Sequence, residues 1–562
     1  MVFLFDIINV IRESIMKKTL LIISTLIVAA LPLTAQQVII TRFTPDSSVR
    51  LAAQDLASVP RQERKYIRYL SLYNIPKEKR REVAQTVSFL VNSLGRRKKM
   101  YIPLFVGNSD ETVIRLSIDQ YDWNTSAWEN LGYKGSGPKA QPEPYFHYIQ
   151  KRFFVDPDKV TVEKIVVGDT VRIQTDNCAV YLPNTSSPYA HVNAGQEYKA
   201  LRLSGKYVLI DHAGKQVWVT DSDIRKVLIA REVRNGKIQY AHPPWINPNA
   251  WKYLCQETYS EFPVLRADWF ITNASVAPAY YEFLGLGKNI KDFQNLVFTN
   301  EDLAVKARSQ YKGVVVTSIV ARNNRTLLRS PTFTDGYYWQ SHDSLTSVDE
   351  RHYVQNVLHE KFDATEDIGS LPNGLQAYFL TDGKGSRLDF ANPDIAVDNN
   401  SADRVVRNGR SCIICHVDGI RPINDEIRAL TKKLQNRSSV ALLGLSKDDQ
   451  YRIEDLFGTD LDEKIVSDQN IYAAAVARSN GLKSEINARQ FGAIWNSYNE
   501  ILLDRETVSN ELGIPLSRLD HYIQQSNDNV LLGLTKTPVR PVRRDQFEKS
   551  YQNMMHIIAE GK

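Results

Sequence analysis

The feature that most constrains this chain is a short segment in which two residues separate Cys412 from Cys415, and His416 follows directly. Two thiols at this spacing can add across the two vinyl groups on one edge of a porphyrin. The adjacent imidazole can then offer a ring nitrogen to the iron. The sequence therefore predicts one covalently attached haem c, bound through Cys412 and Cys415, with His416 as its proximal ligand.

Two other chemistries use a similar pair of cysteines, namely half of a zinc site and a redox-active dithiol. A zinc site needs a second pair of ligands, whereas the two remaining cysteines, Cys178 and Cys255, are isolated in the sequence. A thioredoxin-like dithiol normally opens a helix after a strand in a compact βαβ unit, and the sequence around Cys412 lacks that pattern. Haem attachment is therefore the favoured interpretation.

An export signal supports this interpretation, because haem c is attached outside the cytoplasm. Residues 16–18 form a short basic segment, Leu20–Leu31 is an apolar run, and Ala35 offers a small residue to signal peptidase. We expect Met16 to be the true start, Gln36 to begin the mature protein, and the protein to be periplasmic or otherwise exported. A retained N-terminal anchor is the alternative, although the run is short for a membrane span.

Length and charge limit the classes of protein to which the chain can belong. Its 562 residues are enough for several domains. The net charge of +6 is close to neutral for this length and gives no case for nucleic-acid binding. Four cysteines are too few for a disulfide-stapled scaffold. No later stretch is long and apolar enough to cross a membrane, so we expect no stable membrane span after signal cleavage.

Changes in hydrophobic periodicity divide the chain into segments. Residues 161–235 contain short alternating strands separated by Gly, Asn, Ser and Pro, which is typical of a small β-barrel and resembles a bacterial SH3-like domain. We predict an α+β multidomain fold with these parts: upstream extension and signal peptide (1–35), N-terminal α+β domain (36–160), SH3-like β-barrel (161–235), mixed aromatic-rich domain (236–400) and mainly helical haem domain (401–562).

Three segments outside the barrel carry a resemblance to a known family. They are Arg68–Leu72, the Leu-Pro-Asn-Gly-Leu-Gln-Ala-Tyr sequence at 371–378, and the arginine-rich segment 404–410 that runs into the cysteine motif. Together they resemble a family of large exported bacterial monohaem proteins that is common in planctomycete-like genomes. The resemblance implies a haem at Cys412, Cys415 and His416, and it implies no substrate.

The residues that would complete the haem site are less well defined by sequence. Haem propionates need cationic partners, and Arg404, Arg407, Arg410 and Arg421 flank the motif; we name Arg407 and Arg410 as haem-binding candidates. No methionine lies between His416 and Met554, which is the preferred sixth ligand. The other candidates for that position are Met555, His556, His521, His342, His352 and His359. Each of these residues can equally be an ordinary surface histidine or core methionine.

Three functions remain open at this stage. The first is one-electron transfer to an unidentified redox partner protein. The second is a haem-dependent oxidoreductase or peroxidase with an open sixth position, although the sequence has no second CxxCH, dinucleotide loop, HExxH motif or nucleophile elbow. The third is a cell-envelope interaction protein that uses the SH3-like domain and carries a sensory or structural haem. The sequence also leaves open whether Cys178 and Cys255 pair or remain buried thiols.

Overall fold

A computed structural model describes residues 45–560 of the chain, apart from these gaps: 107–109, 138–140, 145, 147–166, 168–169, 174–176, 184, 186, 194–195, 227–231, 235–236, 240–247, 307–308, 317, 319, 349–352, 354–355, 357, 359–360, 424, 428–445, 458–460 and 480–487. The predicted signal peptide, His352 and His359 lie outside the described residues. Within the described part, no helix is both long enough and apolar enough to cross a membrane.

Helices and strands occur largely in consecutive groups along the described chain. The helices are α1 (Pro45–Ser58), α2 (Arg80–Ser93), α3 (Thr125–Lys134), α4 (Pro248–Thr258), α5 (Ala267–Ala274), α6 (Ala279–Leu284), α7 (Ile290–Leu296), α8 (Glu301–Lys306), α9 (Arg410–Cys415), α10 (Lys447–Phe457), α11 (Leu461–Ser479), α12 (Ala488–Asn499), α13 (Arg505–Glu511), α14 (Leu516–Ser526) and α15 (Arg544–Glu560).

The strands are β1 (Ile67–Ser71), β2 (Leu104–Phe105), β3 (Val113–Ser117), β4 (Thr170–Ile173), β5 (Cys178–Val180), β6 (Ala190–Val192), β7 (Glu197–Lys199), β8 (Arg202–Ser204), β9 (Tyr207–His212), β10 (Lys215–Thr220), β11 (Ile224–Lys226), β12 (Glu232–Arg234), β13 (Lys237–Gln239), β14 (Val264–Arg266), β15 (Tyr311–Val315), β16 (Arg325–Pro331), β17 (Tyr337–Asp343), β18 (Ala364–Ser370) and β19 (Gln376–Asp382). This mixture of several sheets with helices confirms the α+β fold class.

A four-stranded sheet in the order β14-β1-β3-β2 joins distant parts of the chain. Strand β1 is antiparallel to β3, while β14 runs parallel to β1 with Tyr69 opposite Val264. Parallel strands require a long crossover connection, and here nearly two hundred residues separate the two strands. The segments that the sequence assigned to an N-terminal and a central domain therefore contribute neighbouring strands to one sheet.

Helix α2 packs its apolar stripe, including Val87 and Leu90, into the largest hydrophobic core. This first core also contains Phe270 from α5, Tyr378 from β19 and Ile413 from α9. Because these residues come from opposite ends of the chain, the core fixes the position of α9 relative to the sheets.

Strands β15 to β19 form a five-stranded antiparallel sheet in sequence order. Neighbouring residues of a strand point to opposite faces, so each face carries every second residue. On one face, Phe379 stacks on Phe293 of α7 with a 5.3 Å ring separation. On the other face, Trp339 donates its indole N–H to Asp468 of α11 at 2.7 Å. This second face is the one that approaches α9.

Strands β4 to β11 surround a separate third core. They form the sheets β10-β9-β8 and β11-β4-β7 and the pair β5-β6. The buried residues of this core include Val171, Ile210 and Val217, together with Cys178. Cys255 belongs instead to the second core, described next, so the two cysteines lie as buried thiols in different cores.

The second core brings α1 and α4 together with the C-terminal helices. Its buried residues include Val49, Trp251, Leu519 and Met554. Beside it lies a buried ionic network in which the Glu511 carboxylate accepts from Arg266 and forms an ion pair with Arg544 at 3.0 Å. Burial alone would raise the pKa of Glu511, but the charges of Arg266 and Arg544 outweigh this effect and lower the pKa to about 2.

Replacing Glu511 with Gln should lower the free energy of unfolding by about 3–5 kcal/mol, because it leaves two buried guanidinium groups without their shared counter-charge. Since the folded pKa of Glu511 lies below its unfolded value, the stabilisation is present above the unfolded pKa and is lost as the pH falls toward 2. Denaturant unfolding measures both effects. Glu506→Gln, an exposed position on the same helix, is the control and should unfold like the wild type. Equal stability of the two variants would contradict the prediction.

Candidate functional site

The helix that carries the cysteine motif begins at a position where glycine is required. Gly409 immediately precedes α9 and has a φ of 82°, which favours glycine. A Cβ at this position would collide with the Ser275 carbonyl oxygen and would lie 2.7 Å from the Tyr280 ring. Gly409 also forms an isolated β-bridge with Val276. Close backbone contact therefore sets the start of the motif helix against the first core.

Asp398 anchors the first turn of α9. Its carboxylate accepts hydrogen bonds from the Arg410 guanidinium and, at 2.6 Å, from the Ser411 hydroxyl. Arg410 is fully buried, and its guanidinium stacks over Trp495 at 4.2 Å. Through these two contacts, Arg410 holds α9 against its neighbours.

The other predicted haem-binding arginine also has a protein carboxylate as its partner. Arg407 donates to Asp403 from both terminal nitrogens, one of them at 3.0 Å. Of the arginines that flank the motif, Arg421 contacts a motif thiol, with its Nη1 3.9 Å from the Cys415 Sγ. The role of Arg407 and Arg410 toward haem propionates stays a prediction.

Both motif thiols are half-buried, and burial raises the pKa of each. For Cys415 the nearby Arg421 charge opposes this effect. Reactive redox dithiols normally have a lowered thiol pKa because a positive environment stabilises the thiolate. The electrostatics at Cys412 and Cys415 therefore differ from those of a redox-active dithiol.

The ring of His416 is oriented by a hydrogen bond to the backbone. Its Nδ1 lies 3.1 Å from the Gly419 carbonyl oxygen. A carbonyl oxygen can only accept, so Nδ1 carries the proton and Nε2 keeps its lone pair. Loss of solvation lowers the pKa of His416 to about 4, which keeps the imidazole neutral at pH 7. A neutral imidazole whose second nitrogen is held by a carbonyl is the usual form of a metal-ligating histidine.

The second face of the five-stranded sheet lies opposite the motif. The Tyr378 ring is 6.1 Å from the His416 ring. Several side chains on this sheet face are half-buried, including Leu327, Glu366 and Ile368, and so are Cys412 and His416. Glu366 lies on this face two residues before Ile368, which is paired with Tyr378, and after burial its negative charge contributes to the raised pKa of both thiols.

The donor set fits a c-type haem, which uses two thiols and one imidazole from the protein. Cys412 and Cys415 occupy positions three residues apart on one helix, which places them on the same helix face. His416 follows with an accepting Nε2. Among the residues that the structure describes, no three His, Cys, Asp or Glu side chains form a group suited to a metal ion.

The candidates for a sixth ligand are distributed over the molecule. Met554 and Met555 are fully buried in the second core, whereas Ile413 of the motif helix lies in the first core. His342 stacks on Phe362 with a ring separation of 4.0 Å. It lies on the sheet face that is turned away from Tyr378, because it is paired with Thr365 in the alternating pattern. His521 is exposed, and His556 is half-buried.

Sequence reasoning missed several residues that position the motif. Asp398 and Gly419 act through a buried ion pair and a backbone carbonyl, and neither contact has a sequence signature. Gly409 could have been found, because a glycine directly before a predicted helix indicates a special backbone conformation. Arg325 and Glu366 of the sheet lie far from the motif in sequence, and only the fold brings them near it.

Comparisons with known proteins found no matching protein family, no matching curated protein and no matching solved structure.

Proposed function

We propose that this chain is an exported haem c protein that transfers single electrons, with one haem attached to Cys412 and Cys415 and with His416 as the proximal ligand. The observation that carries the proposal is the His416 hydrogen bond to Gly419, which leaves Nε2 free to bind iron. When bound, the haem supplies a reversible one-electron ferric/ferrous couple.

The protein residues would hold the haem in three ways. Cys412 and Cys415 would form two thioether bonds from one face of α9. The Gly419 carbonyl would keep the imidazole oriented, because it fixes the tautomer and the ring direction. The half-buried Leu327 and Ile368 on the sheet face offer apolar surface to a planar ligand. These contacts would also limit the access of water to the site.

Export and the SH3-like domain belong to the same proposal. The basic segment and apolar run at 16–31 support export, which haem c attachment requires. The separate core enclosed by β4 to β11 supports a small SH3-like barrel. On its surface Tyr189 and Tyr207 are exposed, and Lys215 and Lys206 lie over their rings. An aromatic surface of this kind suits a protein partner in the cell envelope.

A second candidate function is a haem-dependent oxidoreductase with an open sixth position. The position of Met554 and Met555 in the second core favours it, because the motif helix packs in the first core. The charged side chains Arg325 and Glu366 near the motif would also give such an open site a polar environment.

Expression with c-type maturation machinery tests haem attachment directly. The wild type should retain haem through a denaturing gel, and the Cys412→Ala/Cys415→Ala variant should lose it, because the thioether bonds are then absent. Haem staining and a reduced absorption spectrum are the measurements. Cys178→Ala/Cys255→Ala removes two thiols from other cores and should keep the haem. Wild-type protein without covalent haem would contradict the proposal.

The spectrum of the loaded protein then separates carrier from catalyst. We expect a low-spin, six-coordinate spectrum that CO and cyanide do not change, because a carrier keeps both axial positions filled. A high-spin spectrum that shifts with peroxide, CO or cyanide would support the second candidate instead.

Met554→Leu, with Met555→Leu as its matched control, tests the sixth ligand. Conversion to high spin in the Met554 variant alone would identify Met554 as that ligand.

A further inference from the structure

The sheet face opposite the motif carries a cluster of charged side chains that has no assigned role in the proposed electron transfer. Arg325 donates to both carboxylate oxygens of Asp343, at 2.7 and 2.9 Å. It donates a third hydrogen bond to Glu366 at 3.2 Å. The cluster thus contains two carboxyl groups and one guanidinium, drawn from three neighbouring strands. We call these three residues the sheet triad.

Strand register places the sheet triad on the same face as Tyr378. Tyr378 lies opposite Ile368, and Glu366 lies two residues before Ile368 on the same strand. Glu366 in turn lies opposite Ser341, which is two residues from Asp343. Because the Tyr378 ring is 6.1 Å from the His416 ring, this face is turned toward the motif.

The electrostatic effects in the site agree with this placement. The Glu366 charge contributes to the raised pKa of Cys412 and Cys415, after the larger effect of burial. The Arg325 charge contributes to the lowered pKa of His416, again after burial. The triad charges therefore act on all three residues of the motif.

Of the two carboxylates in the sheet triad, Glu366 is the one whose negative charge is less fully neutralised by Arg325. The Asp343 side chain is 1% exposed and takes the two-point contact from Arg325, whereas Glu366 is 25% exposed and takes a single contact. Two other charged groups at the motif differ from Glu366. Asp398 is paired with Arg410, and Arg421 is a cation beside Cys415.

We propose that Glu366 is a positioning residue for redox poise, whose carboxylate lowers the reduction potential of a haem bound at Cys412, Cys415 and His416. The ferric state carries one more positive charge than the ferrous state, so a nearby carboxylate stabilises the ferric state more. Local charge is one of the means by which a protein sets a haem potential. This inference rests on the proposed function, since it requires the haem.

Potentiometric titration of the loaded protein tests the inference. Glu366→Gln keeps the shape of the side chain and removes its charge, and Glu366→Lys reverses the charge. The midpoint potential should rise in the Gln variant and rise further in the Lys variant. Glu257→Gln is the matched control, because Glu257 is 23% exposed and contacts Arg64 at 2.9 Å, on α4 in the second core. Its potential should equal that of the wild type.

Every outcome of the titration either supports or overturns the role of Glu366 in setting the haem potential. A stepwise rise from Glu to Gln to Lys at position 366, with no change in the control, supports the inference. An unchanged potential in a Glu366→Gln protein that retains covalent haem overturns it and leaves the proposed function intact. An equal shift in Glu257→Gln also overturns it, because the effect would then be one of overall charge. If the wild type carries no covalent haem, the proposed function fails first and the inference fails with it.

Discussion

The buried pairing of Arg410 with Asp398 is the interaction on which the site depends. It fixes the first turn of α9, and the Ser411 hydroxyl bonds to the same carboxylate. A buried charge is stable only when it is paired and hydrogen-bonded, so this contact admits one arrangement of the motif helix against its neighbours. Gly409 adds to this constraint, because its backbone packs too closely on Ser275 to admit a side chain.

The electrostatics of the site follow from this placement. The motif helix is held facing a sheet, where burial raises the pKa of both thiols and lowers that of His416. A neutral imidazole with an accepting Nε2 therefore lies beside two thiols whose pKa is raised by burial. The same sheet face brings Arg325, Asp343 and Glu366 near the motif, so charge on the strands can act on a bound cofactor.

The packing of the chain also joins segments that lie far apart in the sequence. β1 and β14 pair directly, and α1 shares the second core with α14 and α15. Periodicity identifies helices and strands because it depends on neighbouring residues. Pairing between distant strands depends on contacts that local periodicity does not encode. Strands β4 to β11 are an exception, because their buried residues form a core of their own.

The sequence by itself determined the α+β class and the chemistry available at Cys412, Cys415 and His416, because residue type and local spacing are sufficient for both. Only the tertiary structure decided that Arg407 and Arg410 have carboxylate partners, that Met554 lies in another core, and that Glu366 lies near the thiols. Asp398 lies 12 positions from Arg410, and Glu366 and Met554 lie farther still from the motif in sequence, so burial and strand register, rather than local sequence, determine which of these residues meet.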